Sequence, residues 1–440
     1  MQVLVISSLA VKIVGNQSLF NTLHTFADNG HKVYFMSIRK KERELGQFHP
    51  NITIITVSMI PKFVRPLWVI VRSILYLIEK IIKGIFSILK KNNNGKKAVY
   101  RDGPMFFGEP ESVMVDLFYK ISFILNIFTG IYKGISIIKK QKIDVIYGHE
   151  VSCVIPAYVL GKMFKIPVIS RFQGTILYPI LEEKKKMLRY IEHVIAMKIP
   201  ADLVVMTNDG TRGDEVLKEL GVNKDKIRFW SNGLDFDIFI PGFNGSLLRK
   251  SLAVEESTTI LMSITILKGW KRLDRQIRAM PYVIEKCPDT VLIIVGQGEW
   301  RNTYEELVKK MNLINHVKFV GGIQHSKVRE YLNCADIFLN FFDLTNRGNP
   351  VMEAMLCGKC VVTFKDGSND DLIDNGDNAI ALSPYSTAQQ IADAITEVVV
   401  DTNKRKLIAK NARKTALKKL LPWDIRNKNE LKEVLALGKK

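Results

Sequence analysis

Acidic residues are in short supply in this chain: 44 aspartates and glutamates stand against 64 lysines and arginines, for a formal net charge of +20 over 440 residues. The imbalance argues for anionic partners, whether nucleic acid, acidic lipid head groups or phosphorylated substrates. Nucleic acid fits worst, because the lysines gather on apolar helical stretches without interleaved base-stacking aromatics. Cysteine is scarce too. Five cysteines, an odd number without framework spacing, argue against a disulfide scaffold and for reduced thiols in a cytoplasmic setting. Cys357 and Cys360 do form a C-x-x-C, but one closes a helix and the other begins a strand, which favours packing over redox chemistry. The reading singles out no Asp-x-Asp pair or histidine cluster for a metal, and expects neither metal nor cofactor. Met1–Ile6 has no basic start and runs straight into a strand pattern, so no secretory signal is expected. There is no obvious internal repeat.

The length is enough for two domains and the hydrophobic content, 47%, for sizeable cores. Short β-branched runs at Val3–Ser7, His31–Met36 and Ile52–Val57 alternate with a helical pattern through Phe20, Leu23 and Phe26. Such alternation predicts an α/β fold with a parallel sheet and right-handed crossovers. From Leu67 to Leu89 the pattern breaks. Arg72, Tyr76, Glu79, Lys80, Lys83, Ser87 and Lys90 draw one polar stripe on an otherwise apolar helix. Roughly 20 uncharged apolar residues would be needed to span a bilayer. This segment carries several charges, so a helix lying on an anionic membrane surface fits better. An exposed polar loop, Lys90–Lys97, follows, and then a second apolar helix from Val113 to Ile138. Strands are predicted at 144–147, 166–170, 203–206 and 227–229. After the linker Pro241–Gly245 a second series begins, with strands at 259–264, 290–295, 317–320, 336–340 and 360–364. Two doubly wound domains facing a cleft are expected, with ligands at the C-terminal ends of the strands.

The most informative stretch is Gly348-Asn349-Pro350-Val351-Met352-Glu353, closing at Gly358. Proline early in a helix and glycine just past its end follow the usual asymmetry. Asn349 is the expected N-cap. A helix start of this kind offers unpaired N–H groups and a positive dipole end to a phosphate. Glu353, one turn in, points back to the same mouth and would accept from sugar hydroxyls. Phosphate and ribose together indicate a nucleotide.

Several further motifs fall in one order. They are Asn232-Gly233-Leu234-Asp235 before Phe239 and Pro241, then Trp270-Lys271-Arg272-Leu273-Asp274-Arg275. Val295-Gly296-Gln297-Gly298-Glu299, Val317-Lys318-Phe319-Val320-Gly321-Gly322 and Glu353–Val362 follow, with Trp423 near the end. Together they resemble the retaining glycosyltransferases of the GT-B fold, family 4. The resemblance covers nearly the whole chain, strongly from about Thr259 to Ala381 and more weakly before Asp144. It implies a first domain at 1–240 that binds the acceptor, with a membrane-surface helical insertion at 62–142. It implies a nucleotide-sugar domain at 241–420 and a helix at 421–440 crossing back.

The roles follow residue by residue. The resemblance puts Lys271 against the donor diphosphate, Glu353 on the ribose hydroxyls and His149 facing the transferred sugar. Gly296, Gly298, Gly321 and Gly322 would let the nucleotide approach the backbone, while Gly348 and Asn349 would hold phosphate. Gly15 and Asn16 would border the acceptor and the phosphate from the first domain. The implied reaction is retaining transfer of a hexosyl group from a nucleoside-diphosphate sugar. Its acceptor would be lipid-linked, a glycolipid or an envelope polysaccharide, at the inner face of the membrane. Lys271 and a helix dipole stand in for a metal, and the leaving phosphate helps to deprotonate the incoming hydroxyl. No carboxylate pair suggests a double-displacement glycosidase.

Two departures stand out. Thr345 occupies the first position of the family's Glu-x7-Glu pair, in the string Phe342-Asp343-Leu344-Thr345-Asn346-Arg347-Gly348, and Ile266 replaces an arginine. Thr345 and Asn346 would hydrogen-bond the sugar, Asp343 is a candidate replacement for the carboxylate, and Lys268 or Arg347 would return the lost positive charge. These changes keep two rivals in view: a non-catalytic binding or scaffold protein on the same fold, and a nucleotide-sugar epimerase.

Overall fold

A computed structural model describes residues 1–8, 17–38, 48–57, 113–242 and 245–438. Gly15, Asn16, the polar-striped segment 67–89 and the loop 90–97 lie outside the described residues.

Two parallel sheets organise the chain. The first contains β1 (Gln2–Ser7), β2 (Lys32–Ser37), β3 (Ile52–Thr56), β4 (Val145–His149), β5 (Val168–Phe172), β6 (Leu203–Thr207) and β7 (Ile227–Trp230), in the order β3-β2-β1-β4-β5-β6-β7. The second contains β8 (Thr259–Ile264), β9 (Thr290–Val295), β10 (Val317–Gly321), β11 (Ile337–Asn340), β12 (Cys360–Phe364) and β13 (Ile380–Leu382), in the order β10-β9-β8-β11-β12-β13. In each sheet the strand order reverses once, between β1 and β4 and between β8 and β11. At such a switch point the loops diverge to opposite faces and leave a crevice at the strand ends.

The helices follow from local chemistry. Helix α1 (Gln17–Asp28) buries Leu19, Leu23 and Phe26 and stops at Gly30, whose φ of +80° suits a residue without Cβ. Helix α2 (Val113–Ile138) lies on α3 (Val151–Phe164). Glycines permit the close approach: a Cβ on Gly134 would fall 2.2 Å from Leu160 Cδ1, and one on Gly130 2.9 Å from Pro156 Cβ. The stretch Tyr119–Ile138 is long and apolar enough to cross a membrane, with mean hydropathy 1.6. Its outer side exposes Ile124, Phe128 and Tyr132.

In the second domain, α4 (Leu273–Lys286), α5 (Arg301–Lys310), α6 (His325–Cys334) and α7 (Asn349–Leu356) precede α8 (Ala388–Val400) and α9 (Thr402–Lys419). The N-cap of α7 is Gly348 rather than Asn349. Gly348 has extended backbone (φ −68°, ψ 163°), whereas Asn349 is the first helical residue and aims its side chain elsewhere. Cys357 and Cys360 are free and buried among apolar neighbours, and burial pushes both thiols up to about 12.

Helix α10 (Trp423–Leu437) returns to the first domain, where Leu431 and Val434 pack with Val3, Leu23, Phe26 and Tyr147. Burying each aliphatic side chain contributes roughly 1.5–3 kcal/mol. A polar cluster lies beneath it: Arg426 bonds Glu430, and Tyr147 donates its hydroxyl to the same carboxylate.

Candidate active site

A cleft of about 990 Å³ opens between the two switch points. Its first-domain wall includes Ser8, Gln17, Asn126, Glu150, Gln173 and His193, and its second-domain wall includes Ile266, Gly296, Gly322, His325, Asn349 and Glu353.

The second-domain wall is shaped by glycines. Gly296 (φ +147°) lies so close to the next loop that a Cβ would sit 1.7 Å from Thr265 O; at Gly298 the gap to Leu267 O would be 2.2 Å. Gly321 (φ +92°) ends β10, and Gly322 lines the cleft after it. Glu353 reaches the cleft from the second turn of α7 and is met there by His325 Nε2 at 3.1 Å. That hydrogen bond raises the His325 pKa, against burial. Asn349 accepts from Asn232 Nδ2 at 3.3 Å, tying the helix start to the interdomain turn. The Gly348 N–H is taken by Thr345 O at 3.0 Å.

Lys271 sits deeper. Its Nζ donates to Thr345 Oγ1 at 2.8 Å and lies over the rings of Trp270 (4.0 Å) and Phe342 (4.2 Å). Burial brings its pKa down to about 7, with Asp209 opposing. Thr345 has a φ of +67°, a strained conformation for a β-branched residue, and packs against Gly210 of the first domain.

The neighbouring side chains are occupied elsewhere. Asn346 is fully buried and bonds Asn340, the Phe342 backbone and Asp366, so it holds its own loop. Arg347 pairs with Asp371 through two bonds, at 2.9 and 2.6 Å, and donates across the domain junction to Ser231 Oγ and Asn208 O. Its positive charge is matched there rather than offered to the cleft. Asp343 faces Arg275 at 2.8 Å and Arg272 at 3.6 Å, so it does not stand in for the missing carboxylate. Ile266 does face the cleft, as an exposed apolar side chain at the arginine's place.

His149 lies one layer behind the first-domain wall. It is buried, 3.3 Å from Ser7 Oγ through Nδ1 and 3.4 Å from Gln173 Nε2 through Nε2. Burial first, then Arg171, lowers its pKa to about 3, so it is neutral. Glu150, the next residue, is the one that reaches the cleft, and reading the sequence missed it. The reading missed His325 as well. It also passed over an Asp-x-Asp spacing at Asp235-Phe236-Asp237; there Asp235 accepts from Gln17 Nε2 at 2.7 Å. No group of three or more metal-ligating side chains occurs among the described residues.

Two Rossmann-like domains with a shared interdomain cleft are the architecture of GT-B glycosyltransferases. Anabaena HepE in complex with UDP has this fold, with TM-score 0.69 and 18% identity, covering 99% of this chain and 100% of that one. Residues 246–415 match the family described as Glycosyl transferases group 1. An uncharacterised glycosyltransferase of Methanocaldococcus jannaschii is 24% identical over 298 residues, 66% of this chain and 75% of that relative. The Escherichia coli UDP-Gal:alpha-D-GlcNAc-diphosphoundecaprenol alpha-1,3-galactosyltransferase is 25% identical over 241 residues, 53% of this chain and 61% of that protein. The chain is a glycosyltransferase.

Proposed function

We propose that the chain transfers a sugar from a nucleoside-diphosphate sugar, with retention and without a metal, to a lipid-linked, glycolipid or envelope-polysaccharide acceptor. The observation that carries this reading is the second-domain wall: backbone freed by Gly296 and Gly322 beside the start of α7 and the carboxylate of Glu353. Such a surface suits a nucleotide, with its ribose on Glu353 and its phosphates toward the helix start and Lys271. Lys271 already rests on Thr345, and the charge that grows on the leaving diphosphate would hold it as ammonium. The acceptor enters from the first-domain side. Helix α2 supports a lipid-anchored one, because its inner side gives Ser122 and Asn126 to the cleft while its outer side exposes Ile124, Phe128 and Tyr132 near Lys133, Lys139 and Lys140. That outer side would rest on anionic head groups at the cytoplasmic face of the membrane. The diphosphoundecaprenol acceptor of the Escherichia coli relative belongs to the same chemical class.

The test is a screen of UDP-, GDP- and ADP-sugars for transfer or hydrolysis, alongside titration of the free nucleotides. Binding with turnover supports the enzyme. Binding without turnover favours a scaffold derived from the fold.

A further inference from the structure

We propose that Ser122 and Asn126 on α2, together with His193, form the subsite that seats the acceptor's sugar, and that this sugar is a neutral one, selected against its anionic counterpart. The inference rests on the glycosyltransfer reading above and deepens it on the first-domain side.

The placement follows from the helix period. Ser122 and Asn126, four residues apart, share one side of α2 and line the cleft. Ile124 and Phe128, each two residues from Asn126, fall about 160° round the helix from it. Both are exposed on that other side. His193 comes from the helix Ile191–Lys198. That helix and α2 both pack on α3, and His193 lines the same cleft.

Unused hydrogen-bonding capacity sets these residues apart. Asn126 is only 6% exposed, yet its Oδ1 has no partner, and its amide makes no hydrogen bond among the described residues. A buried amide left in that state is costly, and a ligand hydroxyl that meets it removes the cost. His193 is lowered to about 4 by burial, with no charged group contributing. It is therefore neutral near pH 7, with one ring nitrogen to donate and one to accept. A sugar hydroxyl, which also does both, matches that pair. Gln173 on the same wall is already engaged, accepting from Thr207 Oγ1 at 3.2 Å and meeting His149 Nε2 at 3.4 Å.

Charge narrows the choice of sugar. Among the described residues, no lysine or arginine lines this cleft. Arg171, whose charge reaches Glu150, is fully buried behind the wall and bonds Ser18 Oγ at 3.1 Å. Glu150 does line the wall, with its Oε1 accepting the Gln173 N–H at 2.8 Å. A uronic acid or a phosphorylated sugar seated here would bury its charge beside a carboxyl, with no cation to offset it. Hydroxyl and acetamido groups meet no such penalty. The subsite binds and orients only. Deprotonation of the incoming hydroxyl stays with the leaving phosphate on the donor side, as the retaining reading requires.

The experiment uses the full chain and the nucleotide sugar found by the screen. The probe acceptors are octyl glycosides of glucose, galactose, mannose and N-acetylglucosamine, and the C6-carboxylate counterpart of the best of them. Wild type should glycosylate at least one neutral glycoside, with kcat/KM about tenfold or more above that for its carboxylate counterpart. In Asn126→Leu the KM for the neutral glycoside should rise about tenfold, the equivalent of one hydrogen bond at about 1.4 kcal/mol. Affinity for the free nucleoside diphosphate should stay within about twofold. Ser122→Ala, a milder change on the same helix side, should raise that KM several-fold and carries the test if Asn126→Leu does not fold. An unchanged KM in the folded variants would overturn the proposal, as would a parallel loss of nucleotide affinity, which would mark the residues as structural. A carboxylate glycoside used as well as the neutral one would overturn it too. A wild type that hydrolyses the donor but glycosylates none of the neutral probes would overturn this inference alone. A wild type with no affinity for UDP, GDP or ADP would overturn the underlying reading and this inference with it.

Discussion

Lys271 and Glu353 are the residues on which the donor half of the proposed site rests. Removing the charged acceptor at Glu353 forfeits hydrogen bonds worth about 1.5–3 kcal/mol, so Glu353→Ala should weaken nucleotide binding roughly ten- to a hundredfold in a calorimetric titration. Lys271 makes a different prediction. Its pKa is lowered by burial to about 7, and only the charged form can neutralise a leaving diphosphate, so kcat/KM should fall as pH rises through that value. A pH–rate profile flat to pH 9 would contradict it. Both residues stand out in the sequence because each belongs to a motif with its own spacing; the structure brings Glu353 to the cleft and keeps Lys271 buried beneath it. Asn346 and Arg347 were legible only as neighbours. Their engagement with Asp366 and with Asp371 depends on a loop 20 to 24 residues further along, which local pattern does not reveal. Glu150 was hidden by its neighbour: His149 carries the family resemblance, while the strained turn that brings Glu150 to the cleft is a backbone property.

Among the elements, strands were the most readable, since short β-branched runs flanked by turns have few other uses; β8, β9 and β12 have the predicted bounds. Helix α2 also has its predicted bounds, but its two-sided character emerges only from packing on α3. The crossing helix α10 was signalled by Trp423 alone. Its Arg426 and Glu430, four residues apart, are paired and both buried. Burial alone would raise the Glu430 pKa, but Arg426 and Arg171 outweigh it and bring it down to about 2. The carboxylate therefore contributes stability above its ordinary value of 4.5, and that contribution is lost as pH falls through about 2. Glu430→Gln leaves Arg426 buried without its counter-charge and should destabilise the protein by about 3–5 kcal/mol in denaturant unfolding near neutral pH. The deficit should shrink toward pH 2.

For the molecule as a whole, two switch-point crevices are turned toward one another so that each domain supplies one wall. The contact is close: Gly210 of the first domain packs against Thr345 of the second, and Arg347 bonds Ser231 and Asn208 across the junction. Lys271 and Thr345 lie at this contact, joined by a hydrogen bond of 2.8 Å. The net charge of +20 belongs to this scale as well. If the basic, apolar surface rests on a membrane, the protein should sediment with anionic vesicles at low salt and be released at high salt. Sedimentation that ignores salt would point to a spanning helix, and absence from the pellet would contradict membrane association.

The cleft is proposed to move sugar from a nucleotide. The most direct measurement is release of nucleoside diphosphate from a panel of nucleotide sugars, by wild type and by Lys271→Ala and Glu353→Ala. Wild type should release diphosphate from at least one donor, with the rate lowered about 100-fold or more in Lys271→Ala, the size of effect expected when one stabiliser of developing charge is removed, and clearly reduced in Glu353→Ala. Wild-type rates in both variants would contradict the site described above.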